Sequence, residues 1–352
     1  MEFASDNTSG AAPAVMAALA AANAGHAPSY GADPAMDRVR ALIREIFAAP
    51  RAEVFLVATG TAANVLALSC LCPPWGAIYA HAEAHVDVDE CGAPEFYTGG
   101  AKLVPIAGAH GKLTPEGLGR AIAATRRGDV HSVQPGAVTL TNLTEAGTAY
   151  TPDELARLTA VARGQGLPVH LDGARFANAL VATGATPAEM SWQAGIDILS
   201  LGGTKNGCLG VEAVVLFDPA PAWEMQLRRK RGGHLFSKHR YLSAQMAAYL
   251  ENGLWLQLAR AANDRAAALE QVILAAPGAR LMHPRAGNII FAHLPREVHA
   301  RAMAAGAHYY LWPFGQSLNG PPEEPLSARF VTSWCTTEAE IGAFAAVIRD
   351  RD

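Results

Sequence analysis

Charge and lysine are both scarce in this chain. Of 352 residues only 17% are Asp, Glu, Lys or Arg, and lysine occurs five times, at Lys102, Lys112, Lys205, Lys230 and Lys238. The 28 basic and 32 acidic side chains leave a formal charge of -4, a balance that provides no electrostatic footprint for nucleic acid or a membrane surface. Cysteine is sparse and odd in number. Cys70, Cys72, Cys91, Cys208 and Cys335 have neither disulfide-framework nor zinc-site spacing, which points to a reducing, cytoplasmic compartment. Residues 11–22 are too weakly apolar for a membrane span. The segment ahead of them carries Glu2 and Asp6 but no basic residue, so a secretory leader is not expected. A short Ala-rich helix opened by Pro13 fits better.

Half of the residues are hydrophobic, and the length suits one large domain with a smaller companion. From about 35 to 218, β-like runs alternate with helical ones, the pattern of an α/β domain around a mostly parallel sheet. Strands are expected at 54–58, 77–80, 102–106, 137–141, 168–172, 197–201 and 213–217. Helices are expected at 34–47, 62–71, from 151 and up to 180. After a basic stretch at 228–240 comes a helical region, 241–276, broken near Gly253. Strands at 288–293 and 327–333 and helices at 297–305 and 337–348 complete an α+β pattern. The expected organisation is an N-terminal arm (1–30) packing back near the site, a large α/β domain (31–252) and a small C-terminal α+β domain (253–352).

Four of the five lysines lie near strand starts, in turns or in charged stretches. Lys205 alone sits in a small-residue loop, Leu201-Gly-Gly-Thr-Lys-Asn-Gly207, after an apolar strand. Glycines let a planar ligand approach, and an apolar setting favours the neutral amine that attacks a carbonyl; an ordinary loop lysine is the bland alternative. Asp172 ends the strand Val169-His-Leu-Asp, at the edge where open α/β sheets bind ligands. It could pair with a protonated pyridine nitrogen, or simply with Arg175. Thr59-Gly60-Thr61 joins a strand to a helix, a place where free N–H groups suit a phosphate. It is neither a Walker A loop nor a G-x-G-x-x-G turn. His85, Asp87 and Asp89 would share a face if extended, but a solvated strand or turn is the simpler reading, and no metal is assigned. Arg228 to Arg231 reads as a solvated helix face or a phosphate contact. Arg329 alternates with apolar residues on a strand, where a buried ion pair is its alternative use.

In the order phosphate turn, aspartate, lysine, the chain resembles the threonine aldolase family of fold-type I pyridoxal-phosphate enzymes. The matching segments are Ser5-Asp-Asn, Tyr30-Gly-Ala-Asp-Pro, Thr59-Gly-Thr-Ala-Ala-Asn, His85, Leu171-Asp-Gly-Ala-Arg-Phe-Ala-Asn-Ala, Leu201-Gly-Gly-Thr-Lys-Asn-Gly, Lys230-Arg-Gly-Gly-His-Leu-Phe and Ala328-Arg-Phe-Val-Thr. It is most similar to the low-specificity L-threonine aldolase and phenylserine aldolase branch. The resemblance implies a mostly parallel seven-stranded sheet, a small α+β C-terminal domain, and pyridoxal 5'-phosphate as cofactor.

By the same resemblance Lys205 would carry the Schiff base, Asp172 would pair with the pyridinium nitrogen, and Gly60 and Thr61 would bind the phosphate. His85 would stack on the ring and take part in proton transfer. Ser5, Arg175 and Arg329 would receive the substrate carboxylate, with Arg175 also near the cofactor, and Tyr30 would line the site. Lys230 or Arg231 would reach the phosphate of a neighbouring subunit, implying a homodimer or homotetramer with shared sites. The implied reaction splits a β-hydroxy-α-amino acid into glycine and an aldehyde. The base would be His85, a water held by it, or His131 of an adjacent subunit. The rival readings are a β-eliminating lyase or another amino-acid enzyme on this scaffold, and a silent binding protein. Two departures stand out. Ala62 occupies a position where relatives commonly carry glutamine, and Glu145, in Asn142-Leu-Thr-Glu-Ala-Gly147, falls nearest a position where many have histidine.

Overall fold

Alternation of apolar runs with amphipathic ones builds a seven-stranded sheet from β1 (Glu53–Val57), β2 (Gly76–His81), β3 (Lys102–Ile106), β4 (Gln134–Thr141), β5 (Val169–Gly173), β6 (Ile198–Gly202) and β7 (Glu212–Leu216). The computed structural model describes residues 1–349. The strand order is β1-β7-β6-β5-β4-β2-β3. β2, β3, β4, β5 and β6 pair in parallel, while β7 runs against both of its neighbours. Since β1 is antiparallel to β7, it points the same way as the parallel set. Hence the carboxyl ends of β1, β2, β4, β5 and β6 all open on one edge of the sheet, and each is followed there by a residue singled out in the sequence. Strands β5, β6 and β7 are buried along their whole length, as a sheet covered on both faces requires.

The helices are opened by local signals. Asp33 accepts from Met36 N–H with Pro34 at the first helical position, and Thr151 and Glu154 form a capping box before Pro152–Gly164, each satisfying otherwise orphaned N–H groups. A second, four-stranded antiparallel sheet comprises β8 (Arg280–Leu281), β9 (Ile289–Pro295), β10 (Tyr310–Leu311) and β11 (Pro325–Val331) in the order β10-β11-β9-β8. Its core holds Ile290, Leu294, Phe330 and Phe344, and Phe3 packs into it. The arm therefore folds back: Phe3 N–H donates to His308 O, and Val331 N–H donates to Phe3 O.

The structure decides between readings that the sequence left open. Residues 85–88 form a helical turn, His85–Val88, in keeping with the turn reading, and the extended face of His85, Asp87 and Asp89 is not formed. The basic run lies on a helix, Ala222–Arg231, and its face is not simply solvated. Arg229 is buried, with Nη1 donating to Leu56 O at 3.2 Å and the guanidinium 5.3 Å from the Phe55 ring centroid. Strand 213–217 is realised as β7, and among the open orientations it takes the antiparallel one.

Candidate active site

The loop after β6 is a rigid mount for Lys205. Gly202 carries no side chain because a Cβ there would collide with the Ala174 carbonyl. Gly203 N–H donates to Glu212 Oε2 at 2.7 Å, Thr204 Oγ1 accepts from Val211 N–H at 3.1 Å, and Asn206 Nδ2 donates to Tyr249 Oη and Trp255 O, both at 2.8 Å. Gly207 closes the turn at φ +101, a region that glycine enters without steric cost. With every neighbour pinned, the half-buried Lys205 has no hydrogen-bonded partner among the described residues. Burial holds the Glu212 carboxyl up at about 7, against the pull of Thr204, Gly203 and Lys205.

Asp172, on the adjacent strand, is buried and accepts from two donors. Ala174 N–H reaches Oδ1 at 3.0 Å and Asn64 Nδ2 reaches Oδ2 at 2.9 Å. The sequence-level alternative, a salt bridge between Asp172 and Arg175, is not formed. Arg175 turns instead to Asp6 in the arm, with Nε to Oδ2 at 2.7 Å and Nη2 to Oδ1 at 2.9 Å, both residues being buried. Asn288 Nδ2 adds a third bond to Asp6 at 3.0 Å. Burial alone would raise the Asp6 carboxyl, yet Arg175, Lys205 and Asn288 together hold it below the usual range. Two of the Arg175 donors are thus committed within the protein.

Arg329 projects from β11 and is half-buried, its side chain making no hydrogen bond or ion pair among the described residues. Burial and the nearby Arg175 cation pull its proton affinity down, while Asp6, Glu145 and Asp89 push it up. A half-buried guanidinium without a partner among the described residues is a ready seat for an anion. Ser5 precedes Asp6 in the chain, and its Oγ accepts from Asn7 N–H at 3.1 Å.

Gly60 and Thr61 open a helix, Gly60–Leu71, at the carboxyl end of β1. Thr59 Oγ1 and Thr59 O accept from Ala62 and Ala63 N–H, and the Gly60 and Thr61 N–H groups have no acceptor among the described residues. No atom lies within 4 Å of where a Gly60 Cβ would stand. The turn has the free donors and the space that a phosphate uses.

His85 follows β2. Its Nδ1 lies 2.8 Å from Glu90 Oε1, while Nε2 has no protein partner. The Glu90 bond raises the histidine's proton affinity, burial lowers it, and the Asp172, Glu145 and Glu90 charges raise it further. Sequence reasoning missed Asn64 and Glu90, which join His85 to Asp172, and gave no role to Glu145, whose charge acts on His85, Arg175 and Arg329. Asn64 stands inside the Thr59-Gly-Thr-Ala-Ala-Asn segment and was in view. Glu90 carries no local signal beyond lying five residues after His85.

Three expected residues lie elsewhere in this chain. Tyr30, at φ 60, stacks under Lys230 at 5.0 Å and lines a pocket with Arg229 and His239. Arg231 is exposed in a groove with Phe96, Tyr97 and Leu227. His131 sits in the turn before β4, at the opposite end of that strand from the site.

A buried aspartate on β5, a lysine after β6 and a phosphate-type turn after β1, all at one edge of this sheet, define the fold-type I class of pyridoxal-phosphate scaffolds. The sequence model of the beta-eliminating lyase family matches residues 2–295, and the chain belongs to that family. Low specificity L-threonine aldolases of a Pseudomonas species and of Pseudomonas aeruginosa are each 41% identical to it over 99% of this chain and 97% of their own. The solved threonine aldolase of Leishmania major superposes with a TM-score of 0.91 at 29% identity, covering 99% of this chain and 98% of that one.

Proposed function

We propose that the protein is a pyridoxal 5'-phosphate-dependent aldolase that cleaves L-threonine, L-allo-threonine or a related β-hydroxy-α-amino acid, phenylserine among them, to glycine and an aldehyde. The observation that carries the reading is the Arg329 guanidinium, without a partner among the described residues, on the same site as Lys205 and Asp172. An α-carboxylate completes it through two parallel N–H···O bonds. The residues fit the cofactor: among the described residues the Gly60 and Thr61 N–H groups lack acceptors, Asp172 is buried, and Asn64 Oδ1 is buried without a partner. Lys205 would hold it covalently, Asp172 would face its ring nitrogen, and Gly60 and Thr61 would take its phosphate. When bound, the cofactor supplies an electron sink for the pair released at Cα.

The chain's own residues supply the rest. Arg329, with the Ser5 hydroxyl, fixes the carboxylate, and Arg175, tied to Asp6, backs this arrangement as a fixed positive charge. His85 Nε2 is free to take the β-hydroxyl proton. As that O–H breaks, the Cα–Cβ bond opens, the aldehyde departs, and Cα gains a proton to become glycine. By the division 1–30, 31–252 and 253–352, which we retain as part of this proposal, the lysine and the aspartate belong to the large unit and Arg329 to the small one. Carboxylate binding then bridges the two.

We assign the chain to the cytoplasm as a homodimer or homotetramer with shared sites. Five unpaired cysteines support the compartment, and no helix among the described residues is long and apolar enough to cross a membrane. Phe96 and Leu227 are exposed in the groove that holds Arg231, a setting that suits a subunit contact. The deciding experiment mixes purified protein and cofactor with L-threonine, L-allo-threonine and L-phenylserine and measures glycine and aldehyde. Matching yields support the reading. Pyruvate and ammonia from serine, without glycine from any of the three, would replace it with β-elimination, the second reading, which the matched family's description favours.

A further inference from the structure

Two buried carboxylates meet on one side-chain amide. Asn64 Nδ2 donates to Glu90 Oε1 and to Asp172 Oδ2, each at 2.9 Å. An ionised carboxylate only accepts, so the amide orientation is fixed: the reverse would set Oδ1 against two anions. Glu90 Oε1 also lies 2.8 Å from His85 Nδ1. The Glu90 side chain is 0% exposed, and its second oxygen has no partner. Glu90 meets His85 only at Nδ1, so Nε2 is the ring nitrogen left to face a substrate.

We propose that Glu90 is a positioning residue that holds His85 in its Nδ1–H tautomer with Nε2 as the free base, and that Asn64 ties Glu90 and Asp172 into one unit. The tautomer follows from the acceptor: a carboxylate at Nδ1 requires the proton to sit there, as in other carboxylate–histidine pairs. The amide bridge then keeps the base and the carboxylate facing the cofactor at a fixed separation. Each holds a partner the other cannot displace, since both depend on the same NH2 group. Glu90, Asp172 and Glu145 are the charged groups acting on His85, and all three favour its protonation against the opposing effect of burial. Removing the Glu90 charge therefore makes the histidine a weaker base while leaving Nε2 in place.

The inference rests on the aldolase reading for its kinetic arm and is independent of it in its spectroscopic arm. The test records ¹⁵N-histidine NMR spectra of the wild-type protein and of Glu90→Gln, with His85→Asn identifying the His85 signals. The expected wild-type result is an Nδ1–H tautomer at high pH. In Glu90→Gln the His85 titration should move to lower pH, and the acid limb of kcat/KM for glycine release should move with it. Turnover should fall roughly tenfold or more, part of the 10²–10⁴ that a positioned base contributes, with KM for threonine little changed. An Nε2–H tautomer in the wild type overturns the proposal, as does a Glu90→Gln protein whose titration and kcat both stay where they were. Should Glu90→Gln fail to fold, the wild-type tautomer decides alone. An Nδ1–H tautomer in a protein that releases no glycine would sink the aldolase reading and leave the positioning of His85 standing.

Discussion

Asp6 and Arg175 lie 169 residues apart in the chain and meet through two hydrogen bonds, at 2.7 and 2.9 Å, with both side chains out of water. The pair fastens the arm to the turn beyond Asp172 and fixes where the second guanidinium, Arg329, can find a partner.

Asp6→Ala leaves the Arg175 charge buried and unpaired, and should destabilise the protein by about 3–5 kcal/mol. The Asp6 carboxyl is held low in the fold, so the stability it contributes is present above its unfolded pKa and is lost as pH falls through the folded value. Urea titrations of wild type and Asp6→Ala should therefore differ most at neutral pH and converge in acid. Equal midpoints at pH 7 would show that the pair does not hold the arm.

Lys205→Ala should abolish the absorbance of lysine-bound cofactor and lower glycine release by roughly 10³-fold or more, as for other members of an interdependent catalytic set. A variant retaining the wild-type cofactor spectrum would remove Lys205 from its role.

Arg329→Lys keeps a charge but loses the planar fork. The loss of one charge-assisted bond to the substrate carboxylate, about 1.5–3 kcal/mol, should appear as a KM increase of about 10- to 100-fold with the cofactor spectrum intact. Steady-state kinetics on L-threonine checks this; an unchanged KM assigns the carboxylate to another group.

Glu212 contributes with the opposite sign to Asp6. Its carboxyl is raised from 4.5 to about 7 by burial, so its protonated form favours the fold and stability declines as pH rises from 4.5 through about 7. Glu212→Gln should flatten that decline in denaturation midpoints measured across the same range. A slope identical to wild type would mean that Glu212 is ionised in the fold throughout.

The sheet was legible because its strands are short apolar runs bounded by glycine or proline; the strand at 102–106 is realised as Lys102–Ile106. Less legible were elements set by tertiary contact. Arg280–Leu281 and Tyr310–Leu311 are two residues each and exist only by pairing with β9 and β11. On the helix Ala222–Arg231 the four consecutive basic residues suggested a solvated face, and the burial of Arg229 was hidden because it depends on Leu56 and Phe55 far upstream. At the site, Lys205 and Asp172 could be singled out because their strand ends place them. Asn64 and Glu145 stood in segments noted in the sequence but without a role, and Glu90 was not noted, because an amide or a carboxylate shows its role only through what it touches. The Asp6–Arg175 pair escaped for the same reason: the nearer candidate in sequence was Asp172, three residues away.

The path of the arm sets an order on biosynthesis. Asp6 and its partner Asn288 are 282 residues apart, and Phe3 docks between His308 and Val331. Arg175 gives the arm its first hold, and the rest of the seat is made only by residues from 288 onward, so every strand of the large sheet is available before the second sheet that completes the hold. Chains that stop before Asn288 would thus carry Lys205 and Asp172 without the contacts from Asn288, His308 and Val331 that complete the hold on the arm, so the substrate side of the site depends on the second sheet rather than on the large one alone.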